Sequence, residues 1–202
     1  PGVALDEVTA QYAADKYKGK FIFKHFNHRE LNKSKLERYL DKLQTYLYEK
    51  DKEAGILPED RWGVIDVIVV DYLDVMISES KADEGWVACE HLAQEIKAVC
   101  KSRNMLCLTA TQGGTEAMKA DTVKLYMAQG YKSKFNAPDM VFSISQDDSE
   151  KNASPPAFRL ACLKARRAKV NYQIKYLFWK EKQLIREVED AKIYSMSERQ
   201  ME

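Results

Sequence analysis

The sequence has no apolar run long enough to cross a membrane and no signal peptide at its start, so we expect an intracellular, cytoplasmic protein without a membrane partner. It also lacks an excess of either charge, since 32 lysines and arginines stand against 31 aspartates and glutamates. Without a general positive field, any binding of nucleic acid must depend on a local patch. No internal repeat or low-complexity linker interrupts the chain, which predicts a single domain with a sizeable core.

Metal-binding and disulfide patterns are missing as well. His25 and His28 lie close together, but no cluster of Cys or His completes a zinc site around them, so we interpret both as solvated or capping groups. The 4 cysteines lack paired spacing and stand among apolar neighbours, which is typical of small core residues in a reduced protein. They are Cys89, Cys100, Cys107 and Cys162.

The most informative stretch that is present runs from 64 to 74, where β-branched apolar residues end abruptly at Asp71. Such a run predicts a strand that is buried on both faces, as in a parallel sheet. Parallel α/β sheets bind ligands beyond the carboxyl ends of their strands, and in P-loop nucleotide triphosphatases an Asp at this position holds magnesium. The alternative is a buried strand whose last Asp only caps a turn, and this motif alone does not separate the two.

Apolar spacing and turn-forming residues predict the remaining elements. Helices are expected at 4–17, 34–49 and 86–101, with a short one at 122–127. Strands are expected at 21–26, 65–71, 105–111 and 140–145, followed by an antiparallel hairpin of 158–163 with 174–179. Residues 147–156 are rich in turn formers, and the charged chain from Lys180 onward is expected to include helix.

The order of strand, crossover helix and strand is the unit of a parallel sheet, so the predicted fold class is α/β. We expect a mostly parallel sheet flanked by helices, with the antiparallel hairpin at its C-terminal end. The chain then divides into an N-terminal helix (1–19), a core (20–186) and a charged tail (187–202). Polar groups stand at the ends of the predicted strands, namely Asp71, Gln112, Lys164 and Arg166.

Several segments, taken in order, resemble the RecA-like motor domain of hexameric, DnaB-type replicative DNA helicases, particularly the phage versions. Asp-Val-Ile-Val-Val-Asp-Tyr-Leu-Asp at 66–74 is similar to the Walker B strand, and Leu-Thr-Ala-Thr-Gln at 108–112 to the strand ending in the sensor glutamine. Leu-Lys-Ala-Arg at 163–166 is similar to the Lys-x-Arg element that reaches a neighbouring subunit's nucleotide. The segments 92–97 and 137–141 also match, and the resemblance covers roughly 20–186, the C-terminal two-thirds of a P-loop NTPase core.

The resemblance implies ATP and Mg²⁺ as cofactors and a role for each strand-end residue. Asp71 would bind the magnesium ion through water, because this ion gives up its hydration reluctantly. Gln112 would report the γ-phosphate to the segment that follows it, and Arg166 and Lys164 would bring positive charge to the transition state. The simpler alternatives are a solvated glutamine and a basic hairpin face.

The resemblance also implies partners. The family works as a ring, expected to be a hexamer, and lines its channel with loops that contact single-stranded DNA. Here that loop is 113–136, which supplies cations and aromatic rings suited to a nucleic-acid backbone and its bases. These candidates are Lys119, Lys124, Lys132 and Lys134, together with Tyr126 and Tyr131. A primase or a helicase loader would be a further partner.

One departure from the family pattern concerns the phosphate-binding loop. No Gly-x-x-x-x-Gly-Lys-Ser/Thr occurs in the 202 residues, and the chain begins at Pro1 rather than Met. We therefore expect a piece of a longer motor that does not hydrolyse ATP by itself. An alternative is a degenerate, non-catalytic RecA-like protein that binds DNA or a replication partner, and a third is a recombinase or clock-type ATPase on the same core. The full-length gene separates the first two.

Overall fold

The computed structural model describes residues 20–56, 61–80, 85–129, 132–170, 172–188 and 194–195. The helix expected at 4–17 lies outside these residues, as does most of the tail expected at 187–202. Among the described residues, no helix is both long and apolar enough to span a membrane. The described residues combine helices with one parallel and one antiparallel sheet, which confirms the α/β class.

Two long helices supply one side of the core. Helix α1 spans Lys33–Glu53 and helix α2 spans Gly85–Ser102, which confirms both predictions from apolar spacing. Asn32 caps α1, because its side-chain oxygen accepts a hydrogen bond from a backbone amide of the first turn at 2.9 Å. Leu40 of α1 and Ile96 of α2 are each 3% exposed and belong to the same apolar cluster.

Strands β1 (Val67–Val70) and β2 (Leu106–Thr109) form the parallel sheet, with Val67 opposite Leu106 and Val70 opposite Thr109. Helix α2 lies between them in the chain, so the predicted strand, crossover helix and strand are confirmed. The parallel sheet has 2 strands, fewer than expected, because the other segments assigned to it pair differently or do not form strands.

The parallel pair is buried on one face, and the expectation of burial on both faces is wrong for the described residues. Val69 is 66% exposed, and its neighbour across the register, Leu108, is 50% exposed. Val70 points the other way and is 8% exposed in the core. Successive side chains of a strand point to opposite faces, and within the described ranges only one face is packed by helices.

The strand predicted at 21–26 is wrong. Residues 20–27 have no regular secondary structure, and Phe21 and Phe23 are 55% and 60% exposed. Phe26 alone packs inward, meeting the Tyr39 ring edge-on with centroids 5.8 Å apart. A strand needs a partner edge, and no described strand lies beside this segment to satisfy its backbone.

The antiparallel sheet has the order β3, β4, β5, β6, with β7 also pairing with β5. The hairpin of β4 with β5 confirms the predicted one, and Phe158 lies opposite Tyr176 with the two rings stacked. Strand β3 forms where predicted, but it pairs antiparallel with β4 rather than joining the parallel sheet. The strands are β3 (Met140–Ser145), β4 (Ala157–Ala165), β5 (Tyr172–Trp179), β6 (Leu184–Glu187) and β7 (Tyr194–Ser195).

The chain from Lys180 does not continue as a helix, contrary to the prediction. A single 3-10 turn, Lys180–Lys182, ends at Gln183, whose φ of 47° lies in the left-handed region. This conformation reverses the chain, so β6 can pair antiparallel with β5. Pairing with an existing strand edge satisfies backbone groups that a charged, isolated helix would leave to solvent.

The turn-rich segment 147–156 contains a short helix, α3 (Asp148–Asn152), which the turn prediction missed. Asp147 and Glu150 form a capping box at its start, with side chain to backbone distances of 2.8 and 3.1 Å. Glu150 is 5% exposed and also accepts a hydrogen bond from Nε of Arg159 at 3.0 Å and pairs with Nζ of Lys175 at 3.2 Å. One buried carboxylate thus links α3 to strands β4 and β5.

The cysteines and histidines follow the sequence expectation. All four cysteines are free thiols, and Cys100 and Cys162 are buried at 3% and 0% exposure. Both His25 and His28 are exposed. In the described ranges no group of three metal-binding side chains comes together, which agrees with the absence of a zinc pattern.

Candidate functional site

The carboxyl edge of the parallel pair, where β1 and β2 end, carries the first candidate residues. Asp71 directly follows β1, and Gln112 lies three residues beyond β2. Thr109 Oγ1 donates to the Val70 carbonyl oxygen at 2.9 Å, which fastens the two strand ends together. Asp71 and Gln112 therefore lie at one edge, and the side chains of both are exposed.

Asp71 is held in place by the chain that follows it. Leu73, 8% exposed, anchors the 3-10 turn Leu73–Val75 in the core, so the backbone at Asp71 cannot drift away from the sheet. Among the described residues, no hydrogen bond or ion pair engages the Asp71 carboxylate. A single free carboxylate fits Mg²⁺, which proteins bind through one or two carboxylates while several waters stay on the metal.

Gln112 is tied to the following loop through its main chain. Its carbonyl oxygen accepts a hydrogen bond from the Gln129 amide at 2.8 Å, and the Gly114 amide donates to the Met127 carbonyl oxygen at 2.7 Å. An isolated bridge between Gly113 and Ala128 completes this pairing. Residues 112–114 and 127–129 thus form the neck of a loop, and the Gln112 amide group stays free at its base.

Lys134 lies behind this edge rather than on the surface. It is 3% exposed, and its ammonium group contacts Asp74 Oδ1 at 2.7 Å and Thr111 Oγ1 at 2.5 Å. It also donates to the Gln129 carbonyl oxygen at 2.8 Å. The sequence pattern groups Lys134 with the lysines expected to contact DNA, but a lysine buried in this way does not face a ligand in solvent.

The other candidate lysines of the loop differ in their exposure. Lys132 is exposed and Lys124 is half-buried, and their ammonium groups lie 5.5 and 6.0 Å from the Tyr126 ring centroid. Tyr126 itself is 41% exposed, so a ring and two cations share one surface. The side chain of Lys119 and the whole of Tyr131 lie outside what the structure describes.

Lys164 and Arg166 lie at the end of β4 and contact the segment before β3. Lys164 Nζ donates to the carbonyl oxygens of Phe135 at 2.5 Å and Asn136 at 3.2 Å. Arg166 donates to the Asn136 carbonyl oxygen at 2.7 Å, and its Nε lies 3.5 Å from Asp139 Oδ1. Burial, followed by the charge of Arg166, lowers the pKa of Lys164.

The candidate residues form two separate groups. Asp71 and Gln112 share the carboxyl edge, whereas Lys164 and Arg166 lie at the end of the antiparallel sheet. No hydrogen bond or ion pair joins the two groups within the described ranges. Sequence reasoning assigned no role to Asp74, because its partner Lys134 is 60 residues away and no local signal distinguishes that lysine from its neighbours.

Solved structures with this architecture are DnaB-like helicase domains. The first is an isolated ATPase domain with a TM-score of 0.57 and 12% identity, covering 74% of this chain and 51% of that one. The second, a DnaB-like replicative helicase described with its interactions with primase, has a TM-score of 0.53 and 12% identity, covering 70% of this chain and 34% of that one. No family model and no curated protein matches the sequence.

The fold is therefore that of DnaB-like, RecA-like helicase ATPase domains, although the parallel part contains 2 strands. The chain spans about half the length of the first of these structures and about a third of the second. At 12% identity the likeness concerns the fold, and the chemistry has to be argued from the residues of this chain.

Proposed function

We propose that this chain is part of the motor domain of an ATP-dependent replicative DNA helicase, which couples ATP hydrolysis at subunit interfaces to movement along single-stranded DNA. The observation that supports it most is the pairing of Asp71 and Gln112 at one carboxyl edge, in a fold shared with DnaB-like ATPase domains. Ligands of parallel α/β sheets bind beyond this edge. The resemblance of the segments around both residues supports the same proposal.

Asp71 would orient the water shell of the metal. Bound Mg²⁺ supplies positive charge that offsets the negative charge of the nucleotide phosphates. The Asp71 carboxylate has no partner to displace among the described residues and carries the charge that such a site needs. The roles of the site residues remain proposals that mutagenesis can test.

Gln112 would link the nucleotide to the DNA-facing loop. Its exposed amide can both donate and accept a hydrogen bond, so it can contact a phosphate or the attacking water. Its carbonyl oxygen is bonded to the Gln129 amide at the neck of the loop. A displacement of Gln112 would therefore be transmitted to the loop between β2 and β3.

Arg166 and Lys164 would act on the nucleotide of an adjacent subunit. The Arg166 side chain is 51% exposed, and its partners are a carbonyl oxygen and the largely exposed Asp139. A phosphate of a neighbouring subunit can replace such partners at modest cost, since exposed ion pairs contribute little. A cation supplied in trans meets charge that develops only in the transition state, which makes hydrolysis depend on ring assembly.

Lys119, Lys124 and Lys132 are the proposed contacts to single-stranded DNA, with Tyr126 as a stacking ring. Cations that follow the backbone and rings that stack on bases bind single strands with little sequence preference. Lys134 is left out of this set, because its ammonium group is buried and paired with Asp74.

The proposal requires a phosphate-binding loop from polypeptide outside these 202 residues, since the sequence contains no such motif. Without backbone amides around the β-phosphate, most of the free energy of anion binding is absent. Calorimetry of this chain with ATP and Mg²⁺ should therefore show no micromolar binding. A hexameric ring, a phage source, and a primase or loader as partner belong to the same proposal.

The main test is DNA-stimulated ATP hydrolysis by the polypeptide that joins this chain to the coding sequence upstream of Pro1. Asp71→Asn and Arg166→Ala should each lower the rate by roughly 10³ or more, whereas Arg167→Ala, an exposed neighbour outside the Lys-x-Arg element, should change it little. Mixing the two inactive variants should restore some activity, because mixed rings contain interfaces with both groups intact.

Mixtures that stay inactive although subunits exchange would place Arg166 in cis or in a structural role. A coding sequence that starts near Pro1 without a phosphate-binding loop would instead support the alternative of a non-catalytic DNA-binding or replication-partner-binding protein. Unchanged hydrolysis in Asp71→Asn would remove this carboxylate from the mechanism.

A further inference from the structure

We propose that Lys134 is a positioning residue, which fixes the loop between β2 and β3 on the carboxyl edge and controls DNA binding without contacting DNA. The inference builds on the proposed function, since it concerns how the DNA-facing loop is held. Its basis is one buried ammonium group that joins three separate segments: Asp74 after β1, Thr111 after β2, and Gln129 at the neck of the loop.

The donors of Lys134 are fully used. A lysine ammonium group has three N–H donors and no acceptor, and here three oxygen atoms lie within 2.8 Å of it. No donor is left for a phosphate. Removing the ammonium group from solvent is costly, and the Asp74 carboxylate supplies the compensating charge. The geometry thus favours a permanent internal contact.

The same contacts connect Lys134 to Gln112 by two routes. Thr111 precedes Gln112 in the chain, and the Gln129 peptide accepts from Lys134 through its oxygen while it donates to the Gln112 carbonyl through its nitrogen. The surface of Lys124, Lys132 and Tyr126 belongs to the loop held in this way. Losing the Lys134 ammonium group should therefore free the loop neck and leave the DNA-facing side chains less ordered.

Hydrogen exchange of this 202-residue chain tests the positioning role directly. In Lys134→Met, the amides of Gly114 and Gln129, which close the loop neck, should exchange at least about tenfold faster, while β4 and β5 keep their protection. Lys132→Met is the matched control, two residues away and exposed, and should leave these amides unchanged. Unchanged exchange at both amides in a folded Lys134→Met variant would overturn the proposal.

Asp74→Asn provides a second variant for the case that Lys134→Met does not fold. It keeps the shape of the side chain and removes the charge that compensates the ammonium group. We expect the same loss of protection at Gly114 and Gln129 as for Lys134→Met. If Asp74→Asn folds and both amides keep their protection, the proposal is overturned.

The salt dependence of binding distinguishes positioning from direct contact. With an oligo-dT probe followed by fluorescence anisotropy, each cation that neutralises a phosphate contributes roughly 0.7 to the slope of log K against log salt. Lys132→Met should lower that slope by roughly this amount. Lys134→Met should weaken binding about three- to tenfold, from the added cost of ordering the loop, with the slope unchanged.

A slope lowered by Lys134→Met as much as by Lys132→Met would show direct phosphate contact and overturn the proposal. If the unsubstituted chain fails to bind the oligonucleotide, the DNA-binding part of the proposed function fails. The exchange experiment still decides the role of Lys134 in that case, so the two failures are distinguishable.

Discussion

The two faces of the parallel pair differ, although similar apolar side chains form both. On the helix-covered face, Val70 is 8% exposed and belongs to the main core. On the open face, Val67 and Val69 are 47% and 66% exposed. The register sets Val67 opposite Leu106 and Val69 opposite Leu108, so these four side chains form one apolar strip on the surface of the described residues.

The difference teaches that apolar character and stabilisation are separate properties. A buried side chain contributes about 25 cal/mol for each Å² of apolar area removed from water, whereas an exposed one contributes little. The helix-covered face should therefore account for most of the stability of the parallel pair. Substitutions on the two faces can sharpen or break this comparison, and four are given from the largest expected effect to the smallest.

The largest effect is expected for Ile96→Ala, in the middle of the covered face. Ile96 is 3% exposed, and its truncation leaves a cavity that should lower the free energy of unfolding by about 2–5 kcal/mol. Urea denaturation followed by circular dichroism measures it. Ile144→Ala is the control, because this strand isoleucine is 69% exposed and its loss should cost less than about 1 kcal/mol. Equal losses would break the comparison.

Adjacent residues of β1 give a closer comparison. Val70→Ala should lower the free energy of unfolding by about 1.5–3 kcal/mol, because the side chain is buried against the helices. Val69→Ala changes the same residue type on the same strand but on the open face, and should cost less than about 1 kcal/mol. The same denaturation curves measure both variants. A larger loss for Val69→Ala would mean that the open face is covered in solution.

A smaller effect is expected when the open strip is made polar. The double variant Val67→Thr with Val69→Thr keeps the β-branched shape and should leave the free energy of unfolding within about 0.5 kcal/mol of the original chain. Binding of the dye ANS, which reports exposed apolar surface, should fall. Strong destabilisation with unchanged dye binding would contradict the exposed strip.

The smallest effect concerns an exposed ion pair at the edge of helix α2. The hydrogen bond from Lys97 to Asp139, at 2.6 Å, holds the pKa of this carboxyl below its ordinary value, and the charges of Arg166 and Arg167 act in the same direction. Such a carboxyl stabilises the fold at pH values above its unfolded pKa, about 4, and the contribution is lost as the pH falls through the lower folded value.

Lys97→Met should therefore raise the pKa of Asp139 toward the ordinary value, which an NMR titration of its carboxyl carbon measures. Stability near neutral pH should change little, because the Asp139 side chain is 64% exposed and the interaction is screened by solvent. An unchanged pKa would show that the arginines, and not Lys97, determine the ionisation of this group.

Elements set by local spacing could be predicted from the sequence. The stripes of α1 and α2, the ends of β1 and β2, and the hairpin of β4 with β5 all depend on residues close together in the chain. The strand expected at 21–26 failed because a strand requires a distant partner edge. The placement of β3 failed for the same reason, since an apolar run does not show which strand it will pair with.

The candidate site shows the same division. Asp71 and Gln112 could be placed at one edge, because the ends of adjacent parallel strands meet there. The burial of Lys134 could not be predicted, since its partners Asp74 and Thr111 are 60 and 23 residues away. Only the folded arrangement separates this lysine from Lys132, its exposed neighbour.

The two sheets also differ in the order in which they can assemble. Strands β3 to β6 pair with their neighbours along the chain, whereas β1 and β2 meet only after α2 has crossed between them. Pairings between distant segments require a larger loss of chain entropy and form more slowly. In refolding, pulsed hydrogen exchange should therefore show protection in β4 and β5 before β1 and β2. The edge that presents Asp71 and Gln112 would then be among the last parts of the chain to form.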